Sequence, residues 1–241
     1  MDNRGMTATE WLEVEEAMET IAPYYEKVNY LMTFGMVDRW RHEVAALAKP
    51  DETVLEIGSG PGLFTRLLDS QQVYCLEPSR DLAIRSRSEL DGNRVTLLRG
   101  VGEEIPLAES SVDRVFCVFS FRDFFDRERG AAEMLRVLRE GGEAHIVDIA
   151  KHEQGPFSKL MDVHVKYMVP VLARVAAGPW KGDVWQRDPY RTFGKTFHAF
   201  GTAQVHEDIL RRAGFAEVCT EFLALKGAAM TRGKKPWKST S

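Results

Sequence analysis

Cysteine is scarce in this chain. Only three occur among 241 residues, at Cys75, Cys117 and Cys219, and none forms a C-x-x-C pair. That excludes a disulfide framework and a zinc ribbon, and the expectation is of reduced, buried thiols in a cytosolic protein. With the cysteines scattered, no metal site is expected. No uncharged apolar run approaches the roughly 18 residues of a membrane span, and the N-terminus shows no signal peptide. A dominant charge sign is also missing: 32 basic residues face 36 acidic ones, for a net charge of −4. A general nucleic-acid binder is therefore not expected. No repeat or low-complexity stretch divides the chain. At 44% apolar and 28% charged residues, it has the composition of an ordinary soluble enzyme with one large domain.

Glycine, by contrast, is concentrated where it matters. Val54-Leu55-Glu56-Ile57 reads as a buried strand, and Gly58-Ser59-Gly60-Pro61-Gly62 follows at once. Glycine has no Cβ, so such a turn lets a ligand lie directly against the backbone. A dinucleotide site wants G-x-G-x-x-G. Here the third glycine comes one residue early, at Gly62, with Leu63 in the dinucleotide position. The E-x-G-x-G-x-G pattern resembles the first motif of class I S-adenosylmethionine-dependent methyltransferases. That cofactor lacks phosphate and is cationic at its sulfur and amino group, so an acid at Glu56 is tolerable. Gln72-Val73-Tyr74-Cys75-Leu76 reads as the next strand, and Glu77 follows it, 19 residues after Gly58. An acid about 20 residues on binds ribose hydroxyls, which suits either adenosine ligand. Pro78-Ser79 reads as the entry to a helix.

The pattern predicts strands near 53–57, 72–76, 94–98, 113–119, 143–148, 215–222 and 223–230. It predicts helices near 62–69, 79–89, 128–138 and 203–213. Gly141-Gly142 is expected to break the chain before the fifth strand, and Gly214 to end the last helix. The fold class is thus α/β: a doubly wound, mostly parallel seven-stranded sheet. Its last two strands should pair as an antiparallel hairpin. Ligands then bind at the carboxyl ends of the strands, where the strand order reverses. Residues 1–48 read as a helical N-terminal cover with aromatics at Tyr24, Tyr25, Tyr30 and Phe34. Residues 49–230 read as the catalytic domain, interrupted by a substrate-cover insertion at 151–202. There Phe157, Leu160, Met161, Val165, Met168, Leu172 and Val175 follow helical spacing, with Pro170 expected to kink the helix. A packed cover, a lid over an apolar substrate and a bilayer-touching face remain open for this helix. His164 reads as a satisfied core histidine. Residues 231–241 read as a basic, solubilising tail, carrying Arg232, Lys234, Lys235 and Lys238 and open to weak attraction by anionic lipid.

Two further stretches sharpen the resemblance. Ile21 to Gly35, with Trp40-Arg41 after it, is similar to the N-terminal signature of the ubiquinone/menaquinone biosynthesis C-methyltransferases. Phe119-Ser120-Phe121-Arg122-Asp123 resembles that family's Phe-Gly-x-Arg-Asn, with Asp123 in place of the usual Asn. No Asn/Asp-Pro-Pro-Tyr/Phe element follows the fourth strand, which argues against a nucleic-acid amino methyltransferase. The resemblance covers residues 21 to about 230 and is weakest over 151–190.

That family implies S-adenosylmethionine as cofactor and C-methylation of a quinol ring as the reaction. It leaves open another lipid or secondary-metabolite acceptor and a non-catalytic partner subunit. It implies cofactor binding by Glu56, Gly58, Gly60, Gly62, Glu77, Pro78, Gly102 and Glu103, with Phe119 and Tyr25 facing the sulfonium. Val101 stands where a polar residue commonly meets adenine, so that contact falls to backbone groups or to Glu103. A phenol of ordinary pKa near 10 is about one part in a thousand ionised at pH 7. Arg122, at the end of the fourth strand, is expected to stabilise the phenolate electrostatically, with an ion pair to Asp123 or Asp148 as its structural alternative. Asp148 and Tyr190 lead the histidines His145 and His198 as candidate bases, and Tyr25 is a further candidate. A small apolar substrate, peripheral membrane contact and a homodimer complete the expected partners, with a cytoplasmic, membrane-associated location.

Overall fold

A computed structural model describes residues 25–90, 92–150, 163–168, 171–172, 175 and 202–238. Seven strands make one sheet: β1 Thr53–Ile57, β2 Gln72–Leu76, β3 Val95–Leu98, β4 Val112–Val118, β5 Leu138–Ile149, β6 Ala216–Phe222 and β7 Ala228–Lys234. Their order is β3-β2-β1-β4-β5-β7-β6. The first five strands are parallel, and β7 runs antiparallel to both β5 and β6. The doubly wound, mostly parallel sheet and the terminal hairpin are both as expected.

Both faces of this sheet are covered, which is why apolar residues fall on both faces of β1 and β4. Side chains alternate between faces with a period of two. Leu55, Val115, Cys117 and Ile146 join one core with helices α4 Arg127–Val137 and α5 Ala203–Ala213. Val54, Phe116, Val118 and Val147 join the other with Val37, Trp40 and Val44 of α2 Met36–Ala45. Helix α1 Tyr25–Met32 precedes α2, and α3 Arg80–Glu89 links β2 to β3. The helix ends follow their chemistry. Ser79 caps α3 through Leu82 N–H, and Asp126 caps α4 through Arg129 N–H at 3.0 Å. Gly214 closes α5 at φ 104°.

Four expectations need correction. Residues 62–69 hold only a 3-10 turn, Thr65–Leu67, because left-handed glycines occupy the positions a first α-turn would need. Gly141-Gly142 lies inside β5 rather than before it; the pairing with β4 slips there, and Gly142 sits so close to Asp113 O that no Cβ would fit. The last strand begins at Ala228, after a 3-10 turn at Ala224–Lys226, and runs to Lys234. Thr231, Arg232 and Lys234 are therefore sheet residues, and the buried Lys235 donates from Nζ to Leu138 O at 2.7 Å. Cys75 and Cys117 are buried as expected, but Cys219 is only half-buried in β6.

The N-terminal cover is pinned at two points. Trp40 Nε1 donates to Ala224 O at 2.8 Å, and Arg66, beside the glycine loop, pairs with Glu26 of α1. Of the insertion, His164–Met168 form a π-helical turn. His164 Nε2 lies 2.7 Å from Met32 O, and its half-buried ring lies 5.5 Å from that of Phe34. The Pro170 kink, Tyr24, Tyr190 and His198 lie outside the described residues.

Candidate active site

The strand order reverses between β1 and β4, and the carboxyl ends of these strands open into a cleft. Its floor is the glycine turn. Gly58, Gly60 and Gly62 have φ of 71°, 54° and 83°, a region side-chain-bearing residues rarely adopt. They are not equivalent. A Cβ on Gly58 would collide with Ser120, whose hydroxyl donates to Ile57 O at 2.7 Å. A Cβ on Gly62 would press on Leu90 and Ser86. Gly60 has nothing within 4 Å, so its bare backbone faces open space.

Two acids from adjacent strands frame this turn. Glu77 is buried; Oε2 accepts from Gly60 N–H at 2.8 Å and Oε1 from Ser79 N–H at 2.9 Å. It thereby holds the turn and the start of α3 in one place, with Pro78 between them on the cleft wall. Glu56, also buried, accepts the Thr65 hydroxyl. Burial pushes its pKa up to about 8, against the opposing pull of Thr65 and the Arg41 charge. Arg41, from α2, lines the same cleft with its side chain almost wholly buried.

The far wall comes from the segments after β3 and β4. Phe119 leaves β4 at φ 62°, a conformation costing a non-glycine residue about 1–3 kcal/mol. Its ring lines the cleft, 6.3 Å from Trp40. Gly102 and Glu103 also line it. Gly102 is bare because the Phe124 ring packs against it. Glu103 Oε1 accepts the backbone N–H groups of Phe125 and Asp126, so it steadies the approach to α4. The side chain of Tyr25, at the start of α1, is outside the described residues.

The expected catalytic residues sit otherwise than their order in the sequence suggests. Arg122 Nη1 donates to Asp148 Oδ1 at 2.8 Å, forming an ion pair buried next to the cleft wall. Neither lines the cleft; Asp123 of the same turn does. His145 lies within β5, stacked on Phe116, with Nε2 2.7 Å from Arg114 Nη1. Burial lowers its pKa, and Arg114 is itself held by Glu52 and Glu143 at the other end of the strands. It is a core histidine. Reasoning from sequence missed Arg41 and Asp123 as cleft residues. Their only signals are the base after Trp40 and the acid after Arg122.

The donor set suits S-adenosylmethionine. An open glycine backbone could lie along it, the buried Glu77 holds that backbone in place, and acids and a buried guanidinium match a zwitterionic amino-acid end. The architecture and this site define a class I S-adenosylmethionine-dependent methyltransferase. The chain matches the ubiE/COQ5 methyltransferase family over residues 6–235. It belongs to that family. Among its relatives is the demethylmenaquinone methyltransferase of Thermus thermophilus, 27% identical over 224 residues, covering 90% of this chain and 98% of the relative. Another is the enzyme of the same name from Bacteroides fragilis, 23% identical, with 89% and 92% covered. A solved S-adenosylmethionine-dependent methyltransferase from Thermotoga maritima superposes with a TM-score of 0.63 at 20% identity, covering 92% of this chain and 99% of that one.

Proposed function

We propose that this methyltransferase alkylates a ring carbon of a small apolar quinol bearing a prenyl tail. The observation that carries this reading is the wall beside the glycine turn, where Phe64, Val118 and Phe119 offer an apolar, partly aromatic surface next to the expected methyl position. The names of the relatives, given to demethylmenaquinone methyltransferases, point the same way.

When bound, S-adenosylmethionine supplies a methyl group on a positively charged sulfur. Glu77 and the Gly60 backbone would hold the ribose end, and Arg41 would meet the carboxylate of the amino-acid end. Glu56 would balance the positive charge of that end. The Phe119 ring on the cleft wall would favour the sulfonium charge, a contact worth about 0.5–2 kcal/mol. Holding the two reacting carbons in line accounts for roughly 7–11 kcal/mol of barrier lowering. The Arg122 guanidinium places a positive field behind the wall at which the acceptor's hydroxyl would sit. A prenylated acceptor resides in a bilayer, and Tyr30, Phe34, Tyr167, Met168 and Val171 are exposed apolar residues of the cover segments. We read them as a peripheral contact with lipid.

The test is methyl transfer from isotopically labelled cofactor to detergent-solubilised demethylated quinols, read by mass spectrometry. Label on a ring carbon is expected. Cofactor binding without label on any quinol would overturn the acceptor assignment and send the search to other apolar molecules.

A further inference from the structure

Four carboxylates line the cleft: Glu56, Glu77, Glu103 and Asp123. Three are engaged. Glu77 accepts backbone N–H groups on both oxygens, Glu103 takes two on Oε1, and Glu56 takes the Thr65 hydroxyl. Asp123 differs. Its nearest cation is Arg122, with Nε 3.6 Å from Oδ1, beyond hydrogen-bond reach. Arg122 is drawn off by Asp148 at 2.8 Å. Among the described residues, the Asp123 carboxylate is thus the cleft acid whose oxygens accept no hydrogen bond, and it retains partial exposure to the cleft.

We propose that Asp123 is the general base that accepts the hydroxyl proton of the acceptor ring. This rests on the reading of the acceptor as a hydroxylated ring. In the step, the O–H bond breaks, its proton goes to a carboxylate oxygen, and the electron pair stays on the ring oxygen and enriches the adjacent ring carbon. After methylation, the proton on that carbon leaves to water and Asp123 returns its own to the oxygen. One proton is released per turnover.

The surroundings tune the group for this work. Arg122 shares its turn, Arg127 faces it from α4 and Asp148 from β5; the Cys117 thiol lies below on β4. His206 of α5 feels the Arg127 charge and is held neutral chiefly by burial. Burial dominates and raises the Asp123 pKa to about 6, with Asp148 adding to the rise and the two arginines opposing it. At pH 7 the carboxylate is mostly ionised, yet more basic than an ordinary aspartate, whose pKa is about 3.9. An asparagine at this position could not accept the proton, so the departure from the related family's pattern carries chemical consequence.

The experiment pairs carbon-13 carboxyl NMR with kinetics. The Asp123 signal, assigned by its loss in Asp123→Asn, is expected to titrate near pH 6. The variant is isosteric and removes a buried charge, so at pH 7 it should melt no lower than wild type and bind S-adenosylmethionine within about twofold of it. Single-turnover methyl transfer to a demethylated quinol should fall by roughly 10²–10⁴, and the acid limb of the wild-type pH profile should vanish. Asp123→Glu should recover part of the rate with a displaced limb. An unchanged rate or limb in Asp123→Asn overturns the proposal, as does a signal titrating near the ordinary aspartate value. A wild type that methylates no quinol, with Asp123 titrating near 6, refutes the quinol and supports a base for another hydroxylated acceptor.

Discussion

Glu56 is a cleft acid whose charged form the fold disfavours. Burial beneath the glycine turn raises its pKa to about 8, so at pH 7 most of the free protein carries the neutral form. A bound positive charge favours ionisation, and the proton must then leave. We expect S-adenosylmethionine binding to release a substantial fraction of a proton at pH 7 and to tighten from pH 6 to 8. Calorimetry in buffers of different ionisation enthalpy measures this directly; zero release would remove Glu56 from the charge balance of the site. The same shift fixes a sign for stability. Between about 4.5 and 8 the folded chain binds more of this proton than the unfolded chain does. The Glu56 contribution therefore makes the free protein less stable as pH rises through that window, and Glu56→Gln should abolish it.

At the scale of the element, the strand–turn connection after β1 divides its duties among its glycines. Gly58 makes room for Ser120, whereas Gly60 faces open space. Both adopt positive φ, so alanine at either costs about 1–2 kcal/mol of backbone strain. Only Gly58→Ala adds a collision with the segment after β4, and it should lower the melting temperature markedly as well as cofactor affinity. Gly60→Ala should melt only a few degrees lower and yet bind the cofactor at least tenfold more weakly. Thermal melts and equilibrium binding on both variants check this; equal loss of stability in the two would erase the distinction. The spacing of this turn, Glu56 and Glu77 are legible in the sequence because they are contiguous with strong strand runs. So are β1 and β4, buried almost throughout on both faces, and β2, whose Val73, Cys75 and Leu76 are buried. Arg41 and Asp123 are not legible as cleft residues, since their positions depend on how α2 and the turn after β4 pack on the sheet. The end of β7 is obscured for a different reason. Its partner β6 is a mostly half-exposed edge strand, and basic residues next to such an edge look like a tail.

For the molecule as a whole, that misread strand has a measurable consequence. β7 lies between β5 and β6, pairing along seven residues with β5 from Ile149↔Ala228 to Glu143↔Lys234. Removing residues 231–241 would strip four of those seven partners and bury nothing in their place. It would also expose the β5 backbone and delete the Lys235 Nζ bond to Leu138 O. Each buried backbone group left unpaired costs about 1–3 kcal/mol, so a few suffice to exhaust the about 5–15 kcal/mol that holds an ordinary domain together. Removing only residues 238–241 touches none of these contacts. We expect the short truncation to melt and bind cofactor like the full chain, and the long one to accumulate as unfolded or aggregated protein. Circular dichroism melts of the two decide the matter. Two equally stable products would mean that the segment from Thr231 is a tail after all, and that β5 and β6 are held apart from it by the helices alone.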